Sequence, residues 1–121
     1  MRDFPRFAEF SDRELRELLR LVRRWDLPLG TVVVSEGGGG GSCFIIASGS
    51  VDVTVRVSSR QQLLAQLPAV SIFGQVSLIS GEPRTATCSM RNDGVILELQ
   101  REPFETFLSA GSPTALKFLA A

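Results

Sequence analysis

Between residues 51 and 57 the chain alternates strictly, with Val51, Val53, Val55 and Val57 separated by Asp52, Thr54 and Arg56. A period of two sets the valines on one face of a strand and the polar residues on the other, so this segment reads as a half-buried strand. Residues 43–47 are apolar throughout and predict a fully buried strand just before it. The β-branched run 31–35 and the segments 63–67, 85–90 and 95–99 predict further strands. Ser48-Gly49 and Ser58-Ser59 mark turns, and Asn92-Asp93-Gly94 carries the signature of a hairpin turn.

The period changes at both ends. Leu15, Leu18, Leu19, Val22 and Trp25 recur at helical spacing, while Arg16, Glu17, Arg20, Arg23 and Arg24 fall on the opposite face. Ser11-Asp12-Arg13-Glu14 is a capping box at the start of that helix, predicted over 12–24. Phe4, Phe7 and Phe10 ahead of it read as core-packing aromatics. Past the last strand, Arg101-Glu102-Pro103 opens a helix that turns Phe104, Phe107 and Leu108 inward and stops at Gly111. A second helix is expected over 114–121. Many short strands punctuated by Gly and Pro, with helices only at the flanks, imply a mainly β antiparallel sandwich or jelly roll.

Composition narrows the function classes. A chain of 121 residues is sized for one domain, with a β-roll over about 27–101 and C-terminal helices over about 102–121. Thirteen basic and thirteen acidic side chains cancel, which argues against nucleic-acid contact by this segment, and the arginines of the first helix read as a solvated face. No apolar run is long enough for a membrane span and no secretory leader is visible, so the expected location is cytoplasmic. With no histidine, histidine-ligated metals and histidine-based catalysis are excluded, along with an enzyme of the cupin type, and no catalytic or metal residue is assigned. Cys43 and Cys88 stand in apolar stretches and read as buried reduced thiols.

The chemistry concentrates in Phe73-Gly74-Gln75-Val76-Ser77-Leu78 and Pro83-Arg84-Thr85-Ala86-Thr87. Gly74 has no Cβ and lets a ligand approach the backbone. The residues after it can open one helical turn whose first N–H groups point outward to an anion. Gly81 and Pro83 end that turn, and Arg84 presents a planar fork of donors suited to a phosphate. These features fit a phosphate cradle, and equally a loop and strand with a solvated arginine.

The order of residues resembles the phosphate-binding cassette of the cyclic-nucleotide-binding domain family. That family writes it Phe-Gly-Glu, one residue, Ala or Ser, Leu, a variable run, then Pro-Arg, Thr, Ser or Ala, Ala-Thr. Glu36, Gly37, Gly38, Gly40 and Gly41 resemble the family's Glu-Gly turn, so the glycine-rich run 36–42 reads as a native, mobile turn rather than a linker. The resemblance implies an antiparallel β jelly-roll (double-stranded β-helix) barrel with an N-terminal helix and C-terminal helices, and no enzyme activity. It implies a regulatory module that binds cyclic AMP or cyclic GMP as ligand, with no further cofactor. Arg84 would pair with the cyclic phosphate, amides around Val76, Ser77 and Thr85 or Ala86 would complete the cradle, and Gly74 would admit the ribose. The Thr85 hydroxyl follows the arginine and can bond a guanine amino group in a syn base, so the position would tolerate cyclic AMP while favouring cyclic GMP. Pocket walls would come from the valines of 51–57 and from Leu64 or its neighbours. A long C-terminal helix that lids the base and forms a homodimer is expected in the family, and this chain ends short of it.

Two departures stand out. Gln75 replaces the glutamate that accepts from the ribose hydroxyl, which weakens that bond and leaves Arg84 less neutralised, as would suit a more negative ligand. Ala69-Val70-Ser71 replaces the usual Pro-Gly-Asp. These departures support an alternative function, a degenerate domain kept as a structural or protein-interaction module without nucleotide.

Overall fold

The computed structural model describes residues 11–39, 41–74, 82–103 and 105. Helix α1 spans Asp12–Leu19, followed by strands β1 (Arg23–Leu27), β2 (Val32–Val34), β3 (Ser42–Ser48) and β4 (Val51–Val57). Then come β5 (Arg60–Leu67), β6 (Ile72–Phe73), β7 (Thr87–Met90) and β8 (Gly94–Gln100). Residues 101–103 and 105 are helical. Phe4, Phe7 and Phe10, the side chains of Glu14, Leu15 and Leu18, residues 75–81 and the expected C-terminal helices past 105 lie outside the described residues.

The strands form two antiparallel four-stranded sheets, ordered β1-β8-β3-β6 and β2-β7-β4-β5. Among the described strands, only the successive pair β4 and β5 is joined within a sheet. Every other pair of successive strands crosses from one sheet to the other, the connectivity of a jelly roll. Val57 pairs with Arg60, and Ser58 and Ser59 both take positive φ (49° and 72°), as a two-residue turn of the I′ kind requires. Val53 pairs with Ala65 and Thr54 with Leu63, which leaves Leu64 as an extra residue in a bulge of the edge strand.

Phe44, Ile46, Val51, Leu67, Phe73, Cys88, Met90 and Ile96 fill the space between the sheets. Cys43, Ile45, Ile72 and Leu99 are buried as well. Cys43 pairs with Leu99 and Ile45 with Ile72, so they occupy the other face of the first sheet, and β3 is covered on both sides.

Three expectations are corrected. The helix stops at Leu19, and Arg23–Leu27 is a strand whose Trp25 pairs with Ile96 of β8. Helical spacing at Val22 and Trp25 coincided with a segment that instead supplies the edge of a sheet, where backbone pairing outweighs local periodicity. Leu19 is left exposed. The Asn92-Asp93-Gly94 turn is not a hairpin, because β7 and β8 belong to different sheets. It is a corner in which Asn92 Oδ1 accepts from the Ser50 amide (2.8 Å) and Asp93 Oδ1 from the Leu29 amide (2.8 Å). A Cβ at Gly94 would run into the Ser48 carbonyl oxygen, so glycine there serves the close crossing of two corners. Finally, the glycine-rich turn is tied down where it is described, as the site makes plain.

Candidate functional site

Arg84 precedes β7, and its backbone is fixed by the glycine-rich turn. Gly37 N donates to Arg84 O (2.7 Å) and Arg84 N donates to Gly38 O (2.9 Å). Glu36 extends the clamp, its amide donating to Thr87 Oγ1 (2.9 Å) and its carboxylate accepting from the Arg56 amide (2.9 Å). Residues 36–38 are therefore anchored, although the sequence alone suggests mobility. The turn holds the arginine at the end of the barrel where β3, β6 and β8 meet.

The Arg84 side chain points inward and is only 7% exposed. Its Nη2 donates to the Ser42 carbonyl (2.7 Å) and its Nη1 makes a long contact with the Gly74 carbonyl (3.5 Å). The guanidinium lies 5.6 Å from the centre of the Phe44 ring, which itself stacks on Phe73 at 5.3 Å. That is the range of a cation–π contact. Gly74 has φ of +89°, and a Cβ there would stand 2.8 Å from Arg84 Nη1 and 3.3 Å from Ser42 O. The glycine thus makes room for the guanidinium. Nε of Arg84 is buried with no hydrogen-bond partner among the described residues.

Burial lowers the pKa of the guanidinium, opposed by Cys43 and Cys88 where they ionise and by Glu98. The two thiols are themselves pushed up by burial, Cys43 to about 12 and Cys88 to about 11, and both are protonated at neutral pH. Of these three, the carboxylate Glu98 is then the group that offsets the buried cation. It lies on the inner face of β8, opposite Phe44 of β3. Its Oε2 accepts from Ser42 Oγ (2.6 Å) and its Oε1 from Trp25 Nε1 (2.9 Å).

Of the residues singled out from sequence, Gly74 and Arg84 are brought into contact. Thr85 is exposed and Ala86 half-buried, directly after Arg84. Gln75, Val76 and Ser77 lie outside the described residues. Val53 and Val55 are half-buried on the inner face of β4, while Leu64 is exposed in its bulge. Sequence reasoning assigned no site role to Ser42, Trp25 or Glu98. The available signal was a lone charge in Val95-Ile96-Leu97-Glu98-Leu99, a run otherwise apolar on both faces. Glu36 is exposed.

Among the described residues no cluster of His, Cys, Asp or Glu could hold a metal ion, and no helix is long and apolar enough to cross a membrane.

Comparison with known proteins bears on the family and the fold. Residues 24–110 match the sequence profile of the cyclic nucleotide-binding domain. A cyclic nucleotide-gated potassium channel of Rhizobium etli is 33% identical over 109 residues, covering 90% of this chain and 29% of the channel. A cAMP-dependent protein kinase regulatory subunit of Yarrowia lipolytica is 25% identical over 108 residues, covering 89% of this chain and 28% of the subunit. The chain spans less than a third of the length of these relatives. Among solved structures, the catabolite activator protein of Thermus thermophilus superposes with a TM-score of 0.84 at 25% identity, covering 94% of this chain and 54% of that one. A cyclic nucleotide-binding domain from Methylobacillus flagellatus does so at 0.84 and 26% identity, covering 96% and 66%. The profile spans most of the chain and the two-sheet fold matches, so this chain belongs to the cyclic nucleotide-binding domain family.

Proposed function

We propose that residues 1–121 form one domain that binds a 3′,5′-cyclic nucleotide, cyclic AMP or cyclic GMP, as the sensor module of a longer regulatory protein. The observation that carries this reading is Arg84: a buried guanidinium, fixed through its own backbone, with Nε unpartnered. A buried cation is costly unless something negative completes it, and a cyclic phosphate has the oxygens to accept from the fork. Amides around Val76 and Ser77 and those of Thr85 or Ala86 would surround the same phosphate. The base would lie along the inner face of β4, against Val53 and Val55. Thr85 is exposed and directly follows the arginine, and its hydroxyl would meet a guanine amino group in a syn base.

In its present position the Arg84 fork already contacts the carbonyls of Ser42 and Gly74. This favours a second reading, in which the arginine braces the barrel and the domain serves as a nucleotide-free scaffold. Calorimetric titration with each cyclic nucleotide separates the two: saturable binding supports the sensor, and none up to millimolar ligand supports the scaffold.

A further inference from the structure

Ser42 touches one charge of each sign, Arg84 and Glu98. Its carbonyl accepts from Arg84 Nη2 at 2.7 Å and its hydroxyl donates to Glu98 Oε2 at 2.6 Å. Trp25, from the edge strand β1, holds the other carboxylate oxygen at 2.9 Å. Glu98 is thus fixed beside the buried guanidinium without consuming its donors. No ion pair joins Glu98 to Arg84 among the described residues, and Nε stays unpartnered.

We propose that Glu98 sets the charge class of the ligand, so that the site takes a phosphodiester monoanion and rejects a phosphate dianion. This rests on the cyclic-nucleotide reading. By the family resemblance, Gln75 would leave Arg84 under-neutralised and open to a more negative ligand. Glu98 restores that neutralisation from the barrel side. One negative charge arriving at the fork meets a cation already partly offset. A second, as on a 5′-monophosphate, is held against Glu98 in a partly buried setting where charge interactions are strong. The carboxylate would therefore discriminate between a cyclic nucleotide and its hydrolysis product, which share base and ribose.

The test compares cyclic AMP with 5′-AMP by calorimetry on the parent, on Glu98→Gln and on Trp25→Lys. The lysine variant sets a cation against Glu98 without altering it, and covers the case in which Glu98→Gln does not fold. The expected result is a parent that prefers cyclic AMP, with 5′-AMP gaining roughly tenfold in either variant and cyclic AMP gaining no more than about threefold. Equal gains for both ligands, or no gain for 5′-AMP in a folded variant, would overturn the proposal. If the parent binds neither nucleotide, the sensor reading fails on its own. The charge claim is then read from the Arg84 Nε–H resonance titrated with sulfate and with nitrate. A sulfate response strengthened over nitrate by Glu98→Gln supports it, and an unchanged ratio overturns it.

Discussion

Gly74 and Arg84 are fitted to one another: a single added Cβ on the glycine would stand 2.8 Å from the guanidinium Nη1. The glycine's φ of +89° adds a second constraint, since side-chain-bearing residues rarely adopt it. Gly74→Ala is expected to destabilise the domain by about 1–2 kcal/mol from the backbone strain alone. It would also push the arginine from its seat, weakening nucleotide binding more than stability. Urea unfolding paired with calorimetry checks both parts.

Val70 takes a positive φ of 61° in the turn before β6, where the family has glycine, and its amide is held by the Ile46 carbonyl at 2.6 Å. A β-branched residue is strained there. The side chain is exposed and gains little from packing. Val70→Gly should therefore raise stability by about 1 kcal/mol, the relief of strain outweighing the added freedom of the unfolded chain. A raised urea midpoint with an unchanged slope is the expected outcome.

How far the fold was legible follows from these elements. Val51–Val57 could be read because one face is buried and the other wet, so its alternation is written in residue type. Strand β1 was hidden because Arg23–Leu27 gains its order from pairing with β8, a partner distant in sequence. The Asn92-Asp93-Gly94 turn was visible, but whether it joins neighbours in one sheet or crosses between two depends on which strands lie between. At the site, Gly74 and Arg84 were legible from their order in the chain. Ser42, Trp25 and Glu98 were not, since they meet Arg84 or one another only through the register of β3, β8 and β1.

Burial raises the thiol pKa of Cys43 to about 12 and of Cys88 to about 11, against an ordinary value of 9.0. The unfolded chain therefore releases these protons first as pH rises. Stability from this source is whole below about pH 9 and is lost as pH climbs from there through the folded values. Unfolding midpoints measured from pH 7 to pH 11 should fall above pH 9 in the parent. The fall should be smaller in a Cys43→Ser/Cys88→Ala variant. Neither thiol should react with an aromatic disulfide reagent at pH 8 until the protein unfolds.

Gln75 offers a neutral acceptor where family binders carry a carboxylate, and an ionised acceptor bonds about twice as strongly. Gln75→Glu is expected to gain on the order of 1–2 kcal/mol, tightening cyclic-nucleotide binding about 5- to 30-fold. Calorimetry on the two proteins measures this directly. No binding by either would favour the scaffold reading.

The most direct measurement is a thermal-unfolding titration with cyclic AMP and cyclic GMP on the parent and on Arg84→Ala. At about 100 times its dissociation constant a ligand adds ~2.7 kcal/mol to stability, a shift of several degrees for a domain of this size. The account predicts that shift in the parent and its absence in a folded Arg84→Ala. A shift of the same size in both proteins, or in neither, would contradict it.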